Sequence, residues 1–355
     1  MLFTPFQLGR IVLPNRIVMA PMTRSRAIGN VPNASMARYY ALRADAGLII
    51  TEGTAPSVNG LGYARIPGVF SADQVSGWRL VTDAVHTAGG RIFIQLMHTG
   101  RIAHPANLPA GARVLAPSAV AAPGTMYTDA HGPQPHPVPE VMTKADIAAA
   151  IAELAHAARS AIVAGADGIE LHGANGYLIE QFLNVGANQR DDAYGGSVAN
   201  RIRFAVEVAE AVAGAIGGDR VGMRLSPYSG NGGLVADAET DAVYLALAKE
   251  LTRIGLVYVH VVDHSAMGAP PVSPAIKAGI RESFRGAYIL SGGYDRATAE
   301  ADLAVHKGDL VAFGRPFLAN PNLVAKLRAD RELVAPDPTT FFTPGDKGYL
   351  DWPVD

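Results

Sequence analysis

The chain has 355 residues, 49% hydrophobic and 17% charged, enough to build a large buried core and too apolar for a disordered chain. Lys plus Arg (30) nearly balances Asp plus Glu (32), and the formal charge of −2 argues against a general nucleic-acid binder or a polybasic membrane binder. Cysteine is absent, which excludes disulfides, thiolate metal sites, iron–sulfur clusters and a cysteine nucleophile. The opening residues, MLFTPFQLGRIVLPNR, carry no basic region followed by an apolar core, and no apolar run is long enough to span a bilayer. A cytoplasmic protein without nucleic-acid or membrane partners is expected.

Eight short apolar runs read as buried parallel strands: Ile17–Met19, Leu48–Thr51, Ile92–Leu96, Gly168–Leu171, Val221–Leu225, Val257–Val262, Tyr288–Leu290 and Leu310–Phe313. Helical patterns lie between them. Ser71 with Gln74 forms a capping-box signature before Val75, Trp78, Val81 and Val85, and Gly89-Gly90 closes that helix. Thr143 with Asp146 opens another, with Ile147, Ile151, Leu154 and Ile162 on one face and Gly165 as its stop. Asp295 caps a third before Ala297–Leu303. Strands alternating with helices predict a (β/α)8 TIM barrel over residues 1–355. Residues 101–142 are rich in proline and histidine and lack a helical period, so they read as an inserted excursion over one face after strand three.

In such barrels the chemistry sits at the C-terminal ends of the strands. Those ends read Ala20-Pro21-Met22-Thr23, Glu52-Gly53, Gln95 to His98, His172, Arg224, Asp263-His264, Ser291-Gly292-Gly293 and Gly314-Arg315. Gly292-Gly293 and Gly314-Arg315 follow strands seven and eight, the usual phosphate position: glycines admit backbone N–H groups to phosphate oxygens, and arginine pairs with the dianion. Each pair alone is equally a glycine turn beside a surface arginine. No GxGxxG follows the first strand, so a Rossmann nicotinamide site is not supported.

The segment Leu171-His172-Gly173-Ala174-Asn175-Gly176-Tyr177 is the richest. His172 and Asn175 stand three apart past a strand, where a helical turn would aim both at one oxygen and polarise a carbonyl or nitro group. Tyr177 adds a weak acid suited to protonating a basic carbon. A polar turn with a buried tyrosine is the bland alternative for this segment standing alone. The loop histidines His104, His131 and His136 match no metal motif, and no metal is expected. His86, His156 and His306 fall on helical patterns as surface or packing residues, and His264 follows strand six without a sharper assignment.

Along the chain stand Asn15-Arg16-Ile17-Val18-Met19-Ala20-Pro21-Met22-Thr23-Arg24, Ile50-Thr51-Glu52-Gly53, Gln95-Leu96-Met97-His98-Thr99-Gly100-Arg101, Leu171 to Leu178, Gln181-Phe182-Leu183, Asn188-Gln189-Arg190, Tyr194-Gly195-Gly196-Ser197, Arg224-Leu225-Ser226-Pro227 and Ala312-Phe313-Gly314-Arg315. Taken together and in order, these motifs resemble the Old Yellow Enzyme family of flavin-dependent alkene reductases, N-ethylmaleimide reductase type. The resemblance implies an FMN-containing barrel reduced by NADPH or NADH. Pro21, Met22, Thr23, Gly53 and Gln95 would address the flavin, Arg224 its pyrimidine end, and Gly292, Gly293, Gly314 and Arg315 its phosphate. His172 and Asn175 would hold the activating group of the substrate, and Tyr177 would donate the proton. Tyr63, Met97 and Tyr349 would line the substrate cavity, with Thr23 marking the threonine branch. The dienoyl-CoA reductase relatives need an iron–sulfur cluster, which the absence of cysteine excludes. Met97 stands where tryptophan is frequent, Ala199 where glutamate is, and Asn184-Val185-Gly186-Ala187 replaces a proline-containing stretch. Residues 228–241 and 262–271 also depart, which bears on substrate range and on NADPH against NADH.

The expected activity is reduction of the activated C=C bond of α,β-unsaturated carbonyl, maleimide or nitro compounds. The rivals are a flavin-free barrel lyase or isomerase acting on a phosphorylated substrate, and a non-catalytic ligand-binding barrel. The first would want a lysine or carboxylate at the barrel mouth, and no strand end offers a lysine. Oligomeric state is left open.

Overall fold

Eight parallel strands close into a barrel in a computed structural model that describes residues 1–354. They are β1 (Ile17–Met19), β2 (Leu48–Ile50), β3 (Ile92–Leu96), β4 (Gly168–Gly173), β5 (Val221–Leu225), β6 (Tyr258–Val262), β7 (Ala287–Ser291) and β8 (Leu310–Phe313). The eight apolar runs of the sequence are these strands. Nearly every strand residue is buried, as expected where the barrel interior covers one face and helices the other. The ring closes where Val311 of β8 pairs with Ile17 of β1. Its register puts Gln95 beside Glu170, and His172, Arg224 and His260 in one row.

Around the barrel run α1 (Ala34–Ala41), α2 (Ala72–Thr87), α3 (Lys144–Val163), α4 (Val198–Ile216), α5 (Thr240–Ile254), α6 (Pro274–Ser283), α7 (Arg296–Ala304) and α8 (Leu323–Arg328). Capping boxes open α2 at Ser71/Gln74, α3 at Thr143/Asp146 and α7 at Asp295/Thr298, each satisfying N–H groups that the helix leaves unpaired. The inner face of α3 is largely alanine (Ala150, Ala157, Ala158, Ala161), which lets a long helix lie close to its neighbours. Two apolar layers result. An outer cluster packs residues such as Ile49, Trp78, Leu154 and Val208 between strands and helices. An inner cluster joins Val18, Leu48, Ile50, Phe93 and Ile289 to Leu8 and Leu13 of an N-terminal hairpin, Phe6–Leu8 with Ile11–Leu13. That apolar plug fills one end of the barrel and leaves the other for chemistry.

The excursion after β3 holds more order than its sequence suggests. Thr125–Thr128 pairs antiparallel with Gly132–Pro135, and Leu115–Ala116 runs parallel to Glu140–Val141. Pro133 and Pro135 hide the first pairing from sequence, because proline withdraws donors from a strand and is tolerated at an edge. Among the described residues no helix is long and apolar enough to cross a membrane.

Candidate active site

The open end of the barrel holds a cavity of about 610 Å³, within the usual range for a small-molecule site. Tyr63, Asn175, Tyr177, Arg224 and His264 contribute to its wall, as do Pro21, Met22 and Thr23 after β1. Gly292 and Gly293 after β7, with Gly314 and Arg315 after β8, contribute as well. Met267 and Phe342 are cavity-lining apolar side chains that remain exposed.

The turn after β4 is built around positive φ. Asn175 has φ +59 and Gly176 φ +83. The helical turn expected over His172–Asn175 is therefore corrected: His172 belongs to β4 and Asn175 is left-handed. Asparagine tolerates that conformation, and at Gly176 a Cβ would lie 2.6 Å from the Asn231 carbonyl. Fully buried Glu180 secures the turn. It accepts from Gly176 N at 2.6 Å and from Ser226 Oγ at 2.7 Å, and Ser226 Oγ accepts from Asn175 N at 2.8 Å.

The turn sets Tyr177 against His172, ring edge to face with centroids 4.7 Å apart. The Tyr177 and Tyr63 hydroxyls share a hydrogen bond of 3.0 Å. Burial, then the neighbouring Tyr63, raises the Tyr177 phenol well above its usual range, so it stays protonated at neutral pH. Burial, then the Arg224 charge, pushes His172 well below its usual value and keeps it neutral. Its Nδ1 is buried without a partner. Arg224 is 5% exposed, yet its Nε and Nη1 have no partner. Glu170 offsets part of its charge, but buried donors of a charged group without partners are costly, so these atoms mark a place for an acceptor-rich ligand. Across the cavity, Gly292 and Gly293 take φ +130 and +67. A Cβ at Gly292 would collide with the Asp263 carbonyl, and one at Gly293 would approach Ala266 Cβ to 2.8 Å. At Gly314 nothing comes nearer than Met22 Sδ at 3.6 Å, leaving its backbone open to a ligand. Glycines, an arginine and an unpaired buried guanidinium on one cavity fit a phosphorylated, acceptor-rich ring system such as FMN.

The structure does not bring every expected residue to the cavity wall. His172 is 5% exposed and stands beside Tyr177. Gln95 is buried, with its Nε2 donating to Glu170 Oε1 at 2.8 Å. Gly53 has no room for a Cβ because Met97 Sδ lies against it. Met97, expected on the substrate wall, is instead packed with Ala55, Leu61 and Ile66, with Tyr63 and Tyr177 against that cluster. Tyr349, also expected there, is fully buried and stacked on Tyr39 at 4.1 Å, outside the cavity lining. Its ring follows the C-terminal tail, which arginines bind through its backbone carbonyls.

Two contacts, His264 with Asn175 and Glu170 with Gln95 and His260, escape sequence reasoning. His264 lines the cavity, with its Nε2 2.6 Å from Asn175 Oδ1. Glu170, fully buried in β4, is held by Gln95 and by His260 Nδ1 at 2.8 Å. A carboxylate set between Ile169 and Leu171 in a buried strand is the signal that marks Glu170. For His264 the sequence offers only its place after β6.

Residues 1–333 match the model of a family described as NADH:flavin oxidoreductase / NADH oxidase. A probable flavin mononucleotide-dependent alkene reductase of Leishmania infantum is 43% identical, with the alignment covering 98% of this chain and 96% of that protein. Morphinone reductase, solved in complex with tetrahydroNAD, superposes with a TM-score of 0.94 at 42% identity, over 100% of this chain and 97% of that one. An Old Yellow Enzyme homologue from Zymomonas mobilis gives a TM-score of 0.96 at 39% identity, covering 100% and 99%.

Proposed function

This chain belongs to the NADH:flavin oxidoreductase / NADH oxidase family, and we propose that it is an FMN-dependent ene-reductase. NADPH or NADH is the reductant, and the activated C=C bond of an α,β-unsaturated carbonyl, maleimide or nitro compound is the acceptor. The observation that carries this reading is the placement of a neutral phenol, Tyr177, on the same cavity wall as Asn175, with neutral His172 against its ring.

Gly292, Gly293, Gly314 and Arg315 would hold the FMN phosphate, Arg224 would face the electron-rich pyrimidine end, and Pro21, Met22 and Thr23 would border the ring. Thr23 supports reading the chain as one of the threonine branch. Bound FMN supplies two-electron hydride chemistry that no side chain here offers. Nicotinamide and alkene use the cavity in turn. Asn175 on the cavity wall, with His172 beside wall-lining Tyr177, would donate hydrogen bonds to the carbonyl or nitro oxygen, drawing charge from the alkene and stabilising the oxyanion that forms. As hydride reaches the β-carbon, Tyr177 gives its hydroxyl proton to the α-carbon. Tyr63, 3.0 Å away, hydrogen-bonds the phenolate left behind until solvent restores the proton. A flavin-free lyase would need a free carboxylate or lysine at this end, whereas Glu170 is occupied by Gln95 and His260. We place the enzyme in the cytoplasm and treat residues 1–355 as one barrel unit, with 101–142 as its excursion.

The test is direct. Purified protein should carry about one flavin per chain, released as FMN on denaturation. Rapid mixing with NADPH or NADH should bleach it, and an enone should restore the colour. Colourless protein that takes up no FMN on reconstitution refutes the reading.

A further inference from the structure

A carboxamide has nearly the same shape either way round, yet only its nitrogen can donate to an acceptor oxygen. Something must therefore choose which end of Asn175 serves the substrate. Its backbone is fixed by Ser226 and Glu180, which hold Asn175 N and Gly176 N, but neither touches the side-chain amide. The contact that does is His264, with Nε2 2.6 Å from Asn175 Oδ1.

The backbone of His264 is fixed independently of Asn175. It follows β6 at the start of a 3-10 turn, Ser265–Met267, and its carbonyl accepts from Met267 N at 2.8 Å. Burial pushes the ring down to about 4, so at neutral pH it carries a single N–H. Its Nδ1 is buried and has no partner. Buried N–H groups without partners are rarer than unmatched acceptors, which puts the proton on Nε2. The bond then runs from His264 Nε2–H to Asn175 Oδ1. Asn175 Nδ2 has no partner among the described residues, and Asn175 lines the cavity.

We propose that His264 is a positioning residue for the acceptor site. By occupying Asn175 Oδ1 it presents Nδ2 to the carbonyl or nitro oxygen, and it selects acceptor groups over hydrogen-bond donors at that point. The identity of the ligand oxygen rests on the ene-reductase reading; the orientation of the amide does not.

Glutamine and glutamate are nearly isosteric replacements with opposite consequences. His264→Gln keeps an N–H that can donate to Oδ1. His264→Glu offers only an acceptor, which turns the amide round and points Oδ1 at the ligand. FMN-loaded variants are titrated with 4-chlorophenol, and enone KM and kcat are measured beside the NADPH half-reaction. His264→Gln should stay within about twofold of the parent, and His264→Ala should weaken phenol and enone binding roughly five- to tenfold, the scale of one ordinary hydrogen bond. His264→Glu should weaken both more than His264→Ala does. In an Asn175→Ala background the gap between Gln and Glu should collapse. Equal effects of Gln and Glu overturn the proposal, as does a full gap surviving in Asn175→Ala, which would show bare charge at work. A parent enzyme inert toward every enone counts against the proposed function instead. The amide orientation is then read from the Asn175 side-chain ¹⁵N resonance, which should move in His264→Glu and hold in His264→Gln; the reverse pattern sinks the assignment.

Discussion

Tyrosine and arginine meet in two places in this molecule, and the same residue types do opposite work. Behind β1 and β2, Tyr349 stacks on Tyr39 at 4.1 Å and the Arg43 guanidinium lies 3.7 Å over the Tyr39 ring. Arg43 donates to the carbonyls of Phe317, Leu318 and Tyr39 at 2.8, 2.9 and 2.8 Å. Arg24 reaches the Gly348 carbonyl at 2.7 Å and the Phe341 carbonyl at 3.1 Å, binding the C-terminal tail to the barrel. At the cavity, Arg224 leaves Nε and Nη1 unmatched, and Tyr63 and Tyr177 bond to each other beside open space. A buried guanidinium whose donors are filled by carbonyls holds the scaffold. One whose donors are unmatched beside the cavity, as at Arg224, is the one we propose for a ligand. The hydroxyl of Tyr349 is also unmatched, but it is neutral, and a hydrogen bond missing from a neutral group costs less than one missing from a charged group.

The largest expected effect breaks the site half of that contrast. Tyr177→Phe keeps the ring against His172 and removes only the acid. Loss of a positioned general acid typically costs ~10²–10⁴-fold, and enone reduction should slow on that scale. Reduction by NADPH needs no proton on carbon and should stay near the parent rate. Nitroalkenes should suffer less, because their nitronate is stable enough to take its proton from water. Rapid-mixing rates for the two halves decide the matter: equal slowing of both would make Tyr177 structural, and unimpaired enone reduction would make another group the acid.

The contrast also shows which parts of the molecule were legible in the sequence. The barrel was, because each strand is covered on both faces and so appears as a continuous apolar run, with glycines and capping residues marking the helix ends. That Gly292, Gly293, Gly314, Arg315 and Tyr177 share one cavity was legible too, since all of them follow strand ends on the same side of the barrel. Tyr349 and Met97 were misplaced because sequence spacing does not say which side of a chain segment faces the cavity. Tyr349 follows a tail held by Arg24 and Arg26, and Met97 turns toward the space that Gly53 leaves. His264 acquires meaning only through the fold, which sets it beside a residue 89 positions earlier.

One residue in each region, Glu52 and His264, should pull stability in opposite directions with pH, which sharpens the comparison. Glu52 sits in the scaffold cluster, accepting from Arg24 N at 3.2 Å and Tyr40 Oη at 3.3 Å, and burial raises it from 4.5 to about 7. A carboxyl raised on folding supports the native state fully below 4.5 and loses that support as pH rises through about 7. His264 is lowered from 6.5 to about 4, so its support is complete above 6.5 and is lost as pH falls toward 4. Either shift is worth up to about 3 kcal/mol. Urea unfolding at fixed FMN concentration should show Glu52→Gln gaining on the parent between pH 5 and pH 8, and His264→Gln gaining on it as pH falls below 6. Parallel curves for parent and variant would remove that residue from the account.

The smallest effect is expected at Tyr349, and it tests the scaffold half most cleanly. Tyr349→Phe keeps the stack on Tyr39 and the cation contacts from Arg24 and Arg26, at 5.2 and 4.7 Å from the ring centroid. It removes a hydroxyl that is buried without a partner. Deleting an unsatisfied polar group from a buried site relieves its desolvation, so stability should stay level or rise by up to about 1 kcal/mol. Flavin content, enone KM and kcat should not move, because the ring lies outside the cavity lining. Tyr63→Phe makes the same one-atom change at a hydroxyl bonded to Tyr177. It should slow enone turnover, since the phenolate formed on Tyr177 loses a donor 3.0 Å away. Thermal unfolding and steady-state kinetics on the two variants together give the answer. A shifted enone KM in Tyr349→Phe would return that tyrosine to the substrate wall, and unchanged turnover in Tyr63→Phe would show that its hydroxyl bond to Tyr177 plays no part in the proton transfer.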